Sequence, residues 1–140
     1  MQVKRDLFPA VTVHALAHAV AALAAGRPVT LLSGPGAASY AGCGWWRALV
    51  AAARAQHPDS PARDILDCAD APGRALEALR IGQKALVLWP SYPAYQAVAA
   101  AAVECGAELM PERPPSLDLA APGASRRLAT WLAGDSGPMP

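Results

Sequence analysis

The sequence predicts a single α/β domain: a three-layer sandwich in which a flavodoxin- or Rossmann-like parallel sheet carries helices on both faces. Three observations predict it. Ala-rich helical segments stop at a glycine, two residues follow, and an apolar strand begins; this happens at Gly26 and Gly82, and in shortened form at Gly106. Glycine suits the left-handed residue that ends a helix because it has no Cβ to clash there. The stops recur roughly every 25 residues, the size of one helix, one strand and their turns. Finally, the strands after Gly26 and Gly82 are almost wholly apolar, as strands covered on both faces are. A chain of 140 residues suits one domain, assigned to residues 1–134 with a flexible tail over 135–140.

In chain order, Lys4-Arg5 followed by the apolar stretch Ala15–Ala25 imitates a secretory signal. His14 and His18 interrupt that stretch, and Thr12 is a good N-cap, so an ordinary amphipathic helix is expected instead. Its core face is Val13, Leu16, Val20 and Leu23, with both histidines opposite. The first strand is then Val29–Ser33. A loop of small residues, Ser33-Gly34-Pro35-Gly36-Ala37-Ala38-Ser39-Tyr40-Ala41-Gly42-Cys43-Gly44, leads into a helix opening on Trp45-Trp46. The break His57-Pro58-Asp59-Ser60-Pro61 precedes a second strand, Asp64–Cys68. Pro72 opens a helix through Leu76 and Leu79 with Asp70 as its cap. The third strand is Ala85–Trp89 and the fourth Ala107–Met110. Residues 111–122 are Pro-rich and extended, adding a short strand through Leu117 and Leu119; Ser125 caps a last helix bearing Leu128, Trp131 and Leu132.

Strand polarity orders the sheet. Strands one and three are apolar and belong in the centre; strand two carries an interior carboxylate and strand four is half polar, so both read as edges. The expected spatial order is therefore 2-1-3-4, with right-handed crossovers leading outward on both sides of a central pair. One stretch, Ile65-Leu66-Asp67-Cys68-Ala69-Asp70-Ala71-Pro72-Gly73 on to Leu88, also resembles a βαβ unit of a (β/α)8 barrel, half of which would fit the length.

Ligands of open parallel sheets bind beyond the carboxyl ends of the strands, where connections diverge. With the order 2-1-3-4 that crevice lies between strands one and three. It would be lined by Ser33, Gly34, Gly36 and Ser39 on one side and Trp89, Ser91 and Tyr92 on the other, with Asp67 nearby. Backbone N–H groups in such a loop favour a small anionic or phosphorylated ligand. The competing reading is a tight turn packing small residues under a helix. Against a dinucleotide fingerprint, Ser39 replaces the third glycine, Pro35 removes one donor, and Asp67 comes 28 residues later. No G-x-x-x-x-G-K-[ST] is present.

Two groups are candidates should the crevice be catalytic. Cys43 precedes a helix, and a helix N-terminus stabilises a thiolate. Its nearest base in sequence, His57, lies about 18 Å away along that helix. Asp67 is the first choice for an acid or base. His14 and His18 have metal-capable spacing but no third ligand beside them, so no metal site is assigned. No cofactor is named by any motif.

Composition excludes several classes. A net charge of +1 without a basic stripe argues against nucleic acid. No run of 18 uninterrupted apolar residues indicates a membrane span. Three cysteines, Cys43, Cys68 and Cys105, without a C-x-x-C suit a reducing, cytoplasmic compartment. Adjacent Trp45 and Trp46 cannot both reach one core, so one of them, or Trp131, is available for a homodimer contact. Three functions compete: a small-anion binding module, an enzyme using the same crevice, and a non-catalytic assembly subunit.

Overall fold

The structure, a computed structural model, describes residues 8–90 and 94–134. The predicted tail and the candidates Ser91 and Tyr92 lie outside the described residues. Six strands, β1 (Ala10–Val13), β2 (Val29–Ser33), β3 (Ala62–Asp67), β4 (Ala85–Val87), β5 (Glu108–Met110) and β6 (Ser116–Asp118), form one sheet. Six helices alternate with them: α1 (Leu16–Ala24), α2 (Ala37–Tyr40), α3 (Cys43–Gln56), α4 (Pro72–Arg80), α5 (Tyr95–Glu104) and α6 (Ala124–Leu132). Every pairing is parallel, and the spatial order is β5-β4-β3-β2-β1-β6. The parallel α/β class predicted above is therefore correct.

The predicted order 2-1-3-4 is not. In it Val29–Ser33 and Ala85–Trp89 stand side by side; in the molecule β3 separates them. The interior carboxylates misled the ordering because both are satisfied inside the sheet. Asp64 Oδ2 accepts hydrogen bonds from Trp46 Nε1 at 3.1 Å, Arg47 Nη2 at 2.8 Å and Gln83 Nε2 at 2.9 Å. Asp67 is ion-paired to Arg113 at 2.8 Å. A carboxylate that finds such partners does not need an edge.

The N-terminal segment also differs. Ala10–Val13 is a strand, fully buried between β2 and β6, so Thr12 is a sheet residue and not a helix cap. α1 starts later, at Leu16, and buries Ala19, Ala22 and Leu23. The short strand expected through Leu117 is β6, pairing Leu117 with Val11. α6 follows a left-handed Gly123, not a Ser125 cap, and α4 follows Ala71 with Pro72 at its first turn.

From β1 to β5 the chain steps one way across the sheet. Right-handed crossovers then place the connecting helices on one and the same face. Packing agrees. Val11, Val13, Leu31, Leu66, Leu86 and Leu117 share a core with buried residues of all six helices, Trp46 of α3 and Val98 of α5 among them. On the opposite face Leu32, Ile65 and Val87 cluster with Ala85 and Met110, strand residues alone. The expectation of helices on both faces is therefore corrected: among the described residues they layer one face. Residues 111–115 carry the chain from the β5 edge to the β6 edge across the other. Arg113, midway along this strap, reaches both Asp67 and Thr12.

Candidate functional site

The carboxyl ends of β1, β2 and β3 meet in a buried polar knot. The Ser33 hydroxyl accepts the Asp67 backbone N–H at 2.9 Å and donates to the Gly34 carbonyl at 3.1 Å. Asp67 Oδ1 accepts the Ala69 N–H at 2.7 Å, while Oδ2 takes Arg113 Nη1 at 2.8 Å. Arg113 also donates to the Ser33 carbonyl and, through Nη2, to Thr12 Oγ1 at 2.9 Å. The Thr12 hydroxyl also shares a hydrogen bond of 2.7 Å with the Ser116 hydroxyl. Asp67, nominated as an acid or base, thus has both oxygens engaged, Oδ2 in fastening the strap to the sheet and Oδ1 in bracing the turn at Ala69. Ala69, which its carboxylate holds, sits at φ 49°, left-handed backbone that a side chain disfavours. Its carbonyl accepts the Trp89 N–H at 2.8 Å.

The glycine loop is short and largely self-bonded. Ala37 N–H bonds the Gly34 carbonyl and Ser39 N–H the Gly36 carbonyl, while Ala41 and Gly42 both bond Ala37 O. Gly36 is left-handed at φ 71°, and α2 is a single turn. Ser39 and Trp89 are exposed at the rim; Ser33 and Gly34 are buried. These contacts bring Ser33, Gly34, Gly36 and Asp67 close together and set Trp89 beside Ala69.

A group that sequence reasoning did not assemble lies over the tips of β1, β2 and β6. His14 follows β1 and Asp118 ends β6, and His14 Nε2 lies 2.9 Å from Asp118 Oδ1. Asp118 Oδ1 also accepts the Ala120 N–H at 2.9 Å. Partial burial pushes the Asp118 carboxyl up, but the Ala120 and His14 hydrogen bonds and the charges of His14 and His18 outweigh this and hold it below its ordinary value. An ionised carboxylate accepts only, so a neutral His14 carries its proton on Nε2 and keeps the lone pair on Nδ1. That nitrogen lies over Gly34: a Cβ built there would fall 3.0 Å from Nδ1 and 2.6 Å from the Tyr40 hydroxyl. Nδ1 of His18 accepts the His14 backbone N–H at 3.1 Å, and the two rings meet edge to face. The spacing of His14 and His18 was visible in sequence; the partner 104 residues away was not.

The cysteines sit elsewhere. Cys43 is the first residue of α3 and is buried in the main core with Cys68, while Cys105 is exposed. Burial, helped by Asp67 and Cys43, pushes the Cys68 thiol up to about 12. Trp46 is fully buried, Trp45 is 36% exposed, and the Trp131 indole donates to Ala10 O at 2.7 Å within the chain. No described helix is long and apolar enough to cross a membrane. No protein-family model matches the chain, and no curated protein matches it either.

Proposed function

We propose that this protein binds a small polar ligand over the carboxyl edge of its sheet and exchanges a proton with it. His14 is the proton carrier, Asp118 orients it, and Tyr40 offers a hydroxyl to the same ligand. The observation that carries this reading is the His14–Asp118 contact of 2.9 Å, with Nδ1 and the Tyr40 hydroxyl packed together over Gly34. Position supports it as well. β1 leads toward β5 on one side while β6 lies on the other, so the tips of β1 and β6 are where the topology diverges. A carboxylate behind an imidazole fixes its tautomer and steadies the imidazolium formed on proton uptake.

A narrower form is the small anionic or phosphorylated ligand expected from the Gly34–Gly36 loop. Its support is thinner, because the Ala37 and Ser39 N–H groups already bond within the turn.

The test is a thermal-shift screen against hydroxy acids, keto acids, sugar phosphates and nucleotides. A ligand that raises Tm in the parent should lose that effect in His14→Gln and in Gly34→Ala, whose new methyl would displace Nδ1 and the Tyr40 hydroxyl. An undiminished response in both variants removes His14 from the site. Independently, nitrogen NMR should find the neutral His14 protonated on Nε2, and a proton on Nδ1 would end the proposal.

A further inference from the structure

At the opposite, amino end of the sheet a cleft of about 740 Å³ opens between α3 and the first residues of β3, β4 and β5. That volume is in the range of small-molecule sites. Its walls carry four cations, Arg47, Arg54, Arg63 and Lys84, against two carboxylates, Asp64 and Glu108. The lining is therefore +2 by count, whereas the whole chain is +1. Positive charge is concentrated here and balanced elsewhere.

How the cations are held matters more than their number. Arg54 Nη2 donates to the Ala62 carbonyl at 2.7 Å and Lys84 Nζ to the Cys105 carbonyl at 2.8 Å. Neutral carbonyls fix the position of a charged head without cancelling its charge. Arg63 borders the cleft at the start of β3, but its side chain alternates onto the Ile65 face, away from α3, where its guanidinium stacks over the Phe8 ring at 4.8 Å. Arg47 is the exception: it pairs with Asp64 Oδ2, to which Trp46 and Gln83 also donate. That carboxylate is accordingly committed to holding α3 and the Gln83 turn on the sheet. Arg47 Nε is nevertheless buried without a hydrogen-bond partner, a donor in want of an acceptor. Val50 and Ala51 of α3 supply an apolar wall beside the charged groups.

We propose that this cleft binds a small anion that joins a phosphate or carboxylate head to a short apolar body. The head meets Arg54 and Lys84, and the body lies on Val50 and Ala51. A concave site of this size beside Arg54 and Lys84 suits a small molecule, and the absence of a basic stripe along the chain argues against a polyanion. The inference is independent of the carboxyl-edge reading, since the two lie at opposite ends of the strands.

Calorimetry with n-butyl phosphate and with inorganic phosphate, at constant ionic strength, tests it. Butyl phosphate should bind more tightly than phosphate because only it uses the apolar wall. Arg54→Gln and Lys84→Gln, both at exposed positions that leave the Asp64 cluster intact, should each weaken binding about fivefold or more. Arg74→Gln removes the same charge from α4, outside the cleft, and should change affinity less than twofold. His14→Gln should leave binding unchanged. Absence of binding to the parent protein, equal losses in Arg54→Gln and Arg74→Gln, or no loss in the cleft variants would each overturn the assignment. Equal affinity for the two probes would remove the apolar wall from it.

Discussion

At the scale of single residues, the carboxylates divide the work. Asp67 is buried with an Arg113 partner that is about one quarter exposed, so its removal leaves a guanidinium stranded and Ala69 without its acceptor. Asp67→Ala should destabilise the fold by about 3 kcal/mol, read from urea unfolding; a change below about 1 kcal/mol would mean the knot does not hold the strap. Asp118 behaves differently. Its folded pKa lies below the unfolded one, so its contribution is present above the ordinary carboxylate range and fades as pH falls through the lower folded value. Asp118→Asn should flatten stability against pH in that acid window and lower it near neutrality, where the ionised carboxylate contributes. Cys68 runs in the alkaline direction: raised from 9.0 to about 12, it stabilises fully below pH 9 and progressively less toward 12. Ellman's reagent at pH 8 should therefore label exposed Cys105 quickly, with Cys43 and Cys68 reacting only as the protein unfolds. Rapid labelling of Cys43 would restore it as a reactive candidate.

Elements were legible in proportion to their local pattern. The helix stops at Gly26, Gly82 and Gly106 are all left-handed in the structure, so the glycine punctuation reported real ends. β1 was hidden because four residues, Ala10–Val13, run straight into an apolar helix and their alternation is swamped. α2 was hidden because its turn is made of the same small residues as a loop. The candidate site shared this fate. That Ser33, Gly34, Gly36 and Asp67 lie together at the carboxyl ends of strands was legible because strand ends are visible in sequence. The His14–Asp118 pair needed β1 beside β6, a pairing no local pattern announces. The β3–α4 turn supplies a prediction at this scale. Ala69 is the one non-glycine described residue with positive φ, and glycine adopts that backbone freely. Ala69→Gly should stabilise the protein by up to about 1 kcal/mol. Destabilisation beyond that size would show its methyl, which lies 3.7 Å from where a Gly36 Cβ would stand, to be an essential contact between the two loops.

At the scale of the molecule, the described residues form a singly wound sheet with helices on one face, two unequal sides and two edge strands, β5 and β6. The helix-covered side is a continuous core, whereas the other depends on the strap and a three-residue apolar cluster of Leu32, Ile65 and Val87. Stability should therefore grade from centre to edge. β2 and β3 pair through four registered positions, Val29 with Ala62 to Leu32 with Ile65, and carry strands on both outer sides. β5 and β6 are three-residue strands, each with one neighbour. Native-state hydrogen exchange should find the β2 and β3 core amides opening only with global unfolding, and those of Leu109 and Leu117 opening by smaller local steps. In Arg113→Met the strap loses its ion pair to Asp67 and its bond to Thr12. Protection should then fall first in β6 and β1, the strands the strap feeds, and last in β4. Uniform loss of protection across all six strands would mean that strap and sheet unfold as one unit, and that β6 is no weaker than the centre it flanks.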